Sequence, residues 1–254
     1  MLNLSELTDK VRALAIEAGD FIREERKKFH REAIEKKHAH DYVSYVDKES
    51  EKKIVTRLKE LLPEAGFIAE EGSGTLNDEQ YCWLVDPLDG TTNFIHDNAP
   101  YCVSIALRSK KELLLGVVYE ICRNECFWTY KGAPSYLNGN EIHVSAISNL
   151  DDSFIALGFP YATEEYKPMA NHLVNTLYGN VAGLRLMGAA AVELCYIAAG
   201  RFEARIEAFI GPWDIAAGTI ILHDYRLQGR RFLFLWFTGS GFKRKNPSRF
   251  VEYN

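Results

Sequence analysis

Apolar residues recur every three or four positions at the start of the chain. Leu4, Leu7, Val11, Leu14, Ala18, Phe21 and Ile22 follow this spacing, with acids and bases between them. It predicts an amphipathic helix to about residue 29, then a polar connector through residue 40. Asp47 opens a second helical pattern with Ile54, Leu58, Leu61 and Leu62 on its apolar face, ended by Pro63-Glu64-Ala65-Gly66. From residue 67 the period shortens. Phe67-Ile68-Ala69 and the run 81–85 read as strands, as do 101–107, 113–119 and 125–130, with Asn138-Gly139 as a hairpin-type turn. Beyond about residue 145, strands and helices alternate: a strand at 153–157, a helix at 166–178, a helix at 189–199 stopped by Gly200, and a strand at 202–206. The pattern predicts an α+β half over residues 1–144 and an α/β half over 145–254, sharing one cleft. It shows no internal repeat, low-complexity tract or long linker.

Composition narrows the function classes. A chain of 254 residues can bury a sizeable core. Its net charge of -5 argues against general nucleic-acid binding, which needs a basic surface, but leaves an anionic substrate open if bound cations reverse the local field. The amphipathic start lacks the continuous apolar core of a secretory signal, and no run is long enough to cross a bilayer. The five cysteines (82, 102, 122, 126 and 195) are odd in number and form no zinc-like pair of pairs. Together these features read as reduced thiols in a cytoplasmic, non-membrane enzyme. Arg23, Arg26, Lys27 and Lys28, interrupted by two glutamates, read as a solvated helix face.

The chemistry concentrates in Asp86-Pro87-Leu88-Asp89-Gly90-Thr91-Thr92-Asn93-Phe94, which follows the strand-like run Tyr81-Cys82-Trp83-Leu84-Val85. Such a stretch brings two carboxylates to a strand end and then exposes backbone N–H groups where a helix begins. Carboxylates hold hard divalent cations, and N–H groups at a helix start hold phosphate oxygens. Alone, Asp-x-x-Asp-Gly also suits a simple tight turn. Thr91 and Thr92 favour the phosphate reading, because they are good donors and poor choices for a turn exit.

This stretch closely resembles the signature of the inositol monophosphatase family, magnesium-dependent and lithium-sensitive phosphomonoesterases. Three more segments resemble that family in order and spacing: Asp41-Tyr42-Val43-Ser44-Tyr45-Val46-Asp47, Phe67-Ile68-Ala69-Glu70-Glu71-Gly72 and Pro212-Trp213-Asp214-Ile215-Ala216-Ala217-Gly218. The resemblance covers about residues 5 to 224. It implies a layered αβαβα sandwich of the inositol monophosphatase and fructose-1,6-bisphosphatase type, a homodimer, and two to three Mg²⁺ ions between the halves.

By this resemblance Glu70, Asp86 and the Leu88 carbonyl hold one cation, while Asp86, Asp89 and Asp214 hold the second. All are hard oxygen donors of the kind magnesium prefers. Thr91 and Asp47 form the expected water-activating pair, with Asp47 accepting the threonine hydroxyl's hydrogen bond. Asp47 also suits a helix cap, as does Asp214 before a helix starting at Ile215. Gly90, Thr91 and Thr92 are expected to bind phosphate through their N–H groups, and Gly188, Ala190, Glu207 and Asp214 to contact the alcohol portion. The implied reaction is hydrolysis of a small polyol or sugar phosphate monoester by metal-activated water, with inositol 1-phosphate first. Sugar bisphosphatase, nucleotide 3′-phosphatase and a regulatory binding protein without turnover are the alternatives.

After the late helix the chain departs from the family's usual Glu-Ala-Gly-Gly turn. It reads His223-Asp224-Tyr225-Arg226-Leu227-Gln228-Gly229, then an apolar run at 232–237 that suits a strand. A local reading-frame change or a lineage-specific tail would each produce this, and resequencing codons 224 to 245 separates them.

Overall fold

The computed structural model describes residues 2–30, 34–38, 41–74, 79–110, 112–160, 163–207, 210–222 and 234–235. Helix α1 (Leu4–Lys28) begins where the Asn3 side chain accepts the Glu6 N–H, and it buries Leu7, Val11, Leu14, Ala18 and Ile22. The expected polar connector instead contains a strand, β1 (Ile34–His38), which pairs antiparallel with β2 (Asp41–Ser44) just beyond it. Backbone pairing defines this hairpin, so a search for apolar alternation had no signal to find. Helix α2 (Tyr45–Leu61) follows directly.

Strands β3 (Gly66–Ala69) and β4 (Tyr81–Asp89) are parallel neighbours. After the short helix α3 (Thr91–Ile95), strands β5 (Cys102–Ser109), β6 (Leu113–Glu120), β7 (Glu125–Tyr130), β8 (Tyr136–Leu137) and β9 (Asn140–Glu141) extend the sheet antiparallel to seven strands. The turn between β8 and β9 has positive φ at both Asn138 and Gly139, as an Asn-Gly hairpin turn requires. Then come β10 (Phe154–Leu157), α4 (Thr163–Leu177), β11 (Gly183–Arg185), α5 (Ala190–Ala198), β12 (Ala204–Ile206), α6 (Pro212–Leu222) and β13 (Phe234–Leu235). The second sheet is parallel, in the order β11-β10-β12-β13. Strand β13 lies within the apolar run 232–237; the rest of that run and the altered turn before it lie outside the described residues.

Alternation along the large sheet separates two cores. Trp83, Val85, Val103, Ile105, Leu115 and Val117 pack with α1 and α2, whereas Leu84, Ala106 and Val118 pack with α5 and α6. Helix α6 lies close against the sheet: a Cβ at Gly116 on β6 would overlap Ile220 and Ala217. On the smaller sheet, Ile155, Leu157 and Ile206 pack with Leu177 of α4. The layers therefore run helices, sheet, helices, sheet, helix, as expected for the αβαβα sandwich. Among the described residues no helix is long and apolar enough to cross a membrane.

Candidate active site

A β-bulge brings the first two candidate acids together. Asp86 and Asp89 are three residues apart, which in a regular strand would aim them at opposite faces. Asp86 pairs with Ser104 and Asp89 with Cys102, so three steps on β4 match two on β5. The extra residue returns both aspartates to the face that Leu84 shares with α5 and α6. Pro87 sits in the bulge, where a missing N–H costs no regular ladder bond. Leu88 turns the other way and buries its side chain among α1 and α2, while its N–H donates to Asp86 Oδ1 at 3.0 Å.

Helix α2 supports this strand end with one polar stripe. Its N-cap is Ser44 rather than Asp47; Asp47 is the third residue of a capping box, and its Oδ2 accepts from the Ser44 N–H at 2.8 Å and from Ser44 Oγ at 2.6 Å. Its Oδ1 lies 2.9 Å from Thr91 Oγ1, which also lies 3.1 Å from the Leu88 carbonyl. Ser50 Oγ donates to the Pro87 carbonyl at 3.2 Å. Fully buried Glu51 accepts the Glu71 N–H at 2.6 Å and the Ser73 N–H at 2.8 Å, which fixes the loop that carries Glu70. Sequence reading found Asp47 here but missed Ser50 and Glu51. Their signal was available: they continue the Ile54 and Leu58 stripe backward at helical spacing.

The second half adds Asp214. Helix α6 starts at Pro212, three residues earlier than the sequence suggested, so Asp214 lies inside its first turn and reaches back to accept the Gly211 N–H at 2.7 Å. Asp89 also faces this half. Its Oδ1 accepts the Ala190 N–H at 3.2 Å and its Oδ2 the Ala191 N–H at 2.8 Å, so it caps α5, whose own N-cap Ala189 has no side-chain acceptor. The Ala190 N–H is thereby engaged by the protein itself. Asn93 fastens the adjoining loops, donating to the carbonyls of Pro100 and Met187, both at 2.7 Å. Gly90 adopts φ 90°, and a Cβ there would meet the Pro100 and Gly188 carbonyls.

Glu207 directly follows β12, half-buried and ion-paired with Arg205. Arg205 also donates through Nε to the buried Glu193 at 2.5 Å. Neither Glu193 nor Arg205 belonged to the sequence motifs. Thr92 lies in the first turn of α3, half-buried. A cavity of about 340 Å³ lined by Arg23, Asp97, Tyr101 and Cys122 lies beside α1 and contains none of the candidate residues. Arg23 is not merely a solvated charge: its Nη2 donates to Tyr119 Oη at 3.0 Å and the Ile121 carbonyl at 2.8 Å.

Electrostatics tie the acids to one another. Burial, then the charges of Glu70, Asp89 and Asp214, hold Asp86 well above the usual carboxylate range, and its carboxyl is within hydrogen-bonding reach of Glu70 and Asp214. Burial, then Asp214, pushes Asp89 up to about 8, with the Ala191 N–H opposing. Burial, then Glu70, pushes Asp214 up to about 7. Burial also raises Asp47, against four hydrogen bonds that stabilise its charge. Among the described residues, no three His, Cys, Asp or Glu side chains stand in a ready-made metal cage. The donor set nonetheless fits a hard divalent cation: buried carboxylates repel one another, and a cation relieves that repulsion. Cys102 Sγ lies 3.6 Å from Asp89 Oδ2, but burial holds its thiol well above its ordinary range, so it supplies no soft thiolate ligand.

The inositol monophosphatase family model matches residues 3–225. The chain belongs to this family. Within it, the chain is 33% identical over 236 residues to the fructose-1,6-bisphosphatase/inositol-1-monophosphatase of Aquifex aeolicus, covering 91% of this chain and 89% of that one. It is 37% identical over 197 residues to the Nus factor SuhB of Pseudomonas aeruginosa, covering 76% and 73%. The solved extragenic suppressor protein suhB of Bartonella henselae superposes with a TM-score of 0.78 at 33% identity, over 84% of this chain and 82% of that one. These relatives support a phosphatase fold and phosphatase chemistry in general, and their names include both a phosphatase and a Nus factor.

Proposed function

We propose that the protein is a magnesium-dependent phosphatase of small polyol or sugar phosphate monoesters, with inositol 1-phosphate as first substrate. The observation that carries this reading is the set of mutually repelling acids, Asp86 and Asp89 buried and Glu70 and Asp214 half-buried, beside the Thr91–Asp47 contact. Glu70, Asp86, the Leu88 carbonyl, Asp89 and Asp214 would hold the ions. Bound magnesium would neutralise phosphoryl oxygens and make water more acidic. Thr91 donates its hydrogen to Asp47, which leaves its oxygen free to accept one from the attacking water; Asp47 receives the proton. The first N–H groups of α3, at Thr91 and Thr92, face the phosphate, while Gly90 permits close approach. Glu207 accepts hydrogen bonds from the polyol hydroxyls. No Ser, Cys or His stands in a nucleophile motif, which favours direct attack by water.

A second reading follows from the SuhB names: a regulatory protein that keeps the fold without turnover. Phosphate release from inositol 1-phosphate, fructose 1,6-bisphosphate, a nucleoside 3′-phosphate and an aryl phosphate, with and without magnesium, separates the two. Magnesium-dependent release, highest on inositol 1-phosphate, supports the enzyme. No release from any of them, with magnesium bound, supports the regulator.

A further inference from the structure

We infer that Arg205 sets the specificity of this site by holding Glu207 in position, an inference that rests on the polyol phosphate reading above. The Arg205 side chain is 2% exposed. Its Nε is bonded to Glu193 and its Nη2 to Glu207, while Nη1 is buried with no hydrogen-bond partner among the described residues. An apolar side chain of similar volume would avoid that unmade hydrogen bond, and buried ion pairs are often replaceable in this way without loss of stability. What the guanidinium supplies is a fixed direction for two carboxylates.

Gly158 also lies against the Glu207 carboxylate. It follows β10, and its N–H donates to the Ile206 carbonyl at 3.0 Å, which fastens this backbone next to the end of β12. A Cβ at Gly158 would overlap the Glu207 carboxylate. Glu207 therefore lies against a guanidinium and against bare backbone.

The other arm of Arg205 reaches the phosphate end. Glu193 accepts the Met187 N–H at 3.1 Å, and the Met187 carbonyl accepts from Asn93 of the Gly90 loop. One buried arginine thus fixes the spacing between the hydroxyl acceptor and the loop that faces phosphate. A substrate held at both ends reads that spacing; an aryl phosphate, held at one end, does not.

The test compares kcat/KM for inositol 1-phosphate and p-nitrophenyl phosphate in the presence of magnesium. In Arg205→Lys the charge stays but one nitrogen cannot span both glutamates. The ratio of inositol phosphate to aryl phosphate kcat/KM should fall about tenfold, mainly through KM for the inositol ester, the scale of one charge-assisted hydrogen bond. Gly158→Ala displaces Glu207 without touching the guanidinium and should lower the same ratio, which keeps the test decisive if the lysine variant fails to fold. In a Glu207→Gln background, Arg205→Lys should lower the ratio no further. An unchanged ratio in the folded variants, or a full additional fall in the double variant, would overturn the role of Arg205 alone. A parent protein with no preference for the inositol ester would overturn the polyol reading and this inference with it.

Discussion

At the Asp86 end of the site, carboxylates are held by neutral donors; at the Glu207 end they are held by a guanidinium. Asp47 is fixed by Ser44, Glu51 by two backbone N–H groups, Asp89 by the start of α5, and Asp214 by the Gly211 N–H. A neutral donor sets a carboxylate's direction and leaves its charge in place, so negative charge accumulates and a cation is the natural partner. Glu193 and Glu207 face Arg205, whose single positive charge offsets one of their two negative charges and leaves that end less negative, as the proposed contact with uncharged hydroxyls requires. The same residue type is given opposite ligand preferences by its donor.

The largest expected effect comes from removing charge at the first end. Asp86→Asn keeps the shape of the residue but removes the charge proposed to bridge both ions, so magnesium-supported kcat/KM should fall about 10³-fold, the worth of several kcal/mol of charge stabilisation. Magnesium affinity by calorimetry should fall in parallel. Activity near that of the parent would show that charge accumulation there is not used. Next, Thr91→Ala should lower kcat roughly 10²-fold while leaving magnesium affinity intact, because it removes proton handling and no ligand. Equal losses in both quantities would place Thr91 with the cation-holding group instead.

Glu51→Gln sharpens the comparison by altering a neutral-donor anchor without touching a proposed ligand. One acceptor oxygen becomes an amide NH₂ facing the Glu71 or Ser73 N–H, so the Glu70 loop should loosen. About tenfold weaker magnesium binding is expected, at the lower end of the range for residues behind metal ligands, with circular dichroism unchanged. Parent-like magnesium binding would remove Glu51 from the support of that end.

The smallest effect is on stability. Asp89 and Asp214 have folded-state pKa values of about 8 and about 7, above those of the unfolded chain, so the folded state binds more protons. Through these two groups, stability then falls as pH rises through the ordinary carboxylate range and continues to fall to about pH 8, and the raised Asp86 acts in the same direction. Melting temperatures of EDTA-treated protein should be lower at pH 8 than at pH 5.5, and magnesium should recover most of the difference at pH 8. A melting temperature that rises with pH in EDTA would contradict the mutual repulsion.

Much of this was legible in the sequence where a local rule applied. The helical stripes of α1 and α2, the strands of the large sheet and the Asn138-Gly139 turn follow from period and turn chemistry, and the four acidic motifs identified the family. The hairpin at β1 and β2 was missed because its definition lies in backbone pairing. Glu193 and Arg205 were missed for a different reason. Each sits in an apolar-looking segment, and the bond that joins them spans 12 residues and two elements. The bulge at Pro87 was equally hidden, since a count of three between aspartates predicts opposite faces unless the β5 register is known.

The cap on α5 also bears on how the molecule assembles. The acceptor for the first turn of this helix comes from a residue about a hundred positions earlier in the chain, separated by 101 residues from Ala190 and 102 from Ala191. Ala189 offers no local substitute. The beginning of α5 therefore gains its cap only after the end of β4 has been delivered to it, which makes a contact of high sequence separation part of secondary-structure formation. Docking of the two regions and completion of this helix become a single cooperative event, and a fragment that starts after β9 would carry α5 with a frayed first turn.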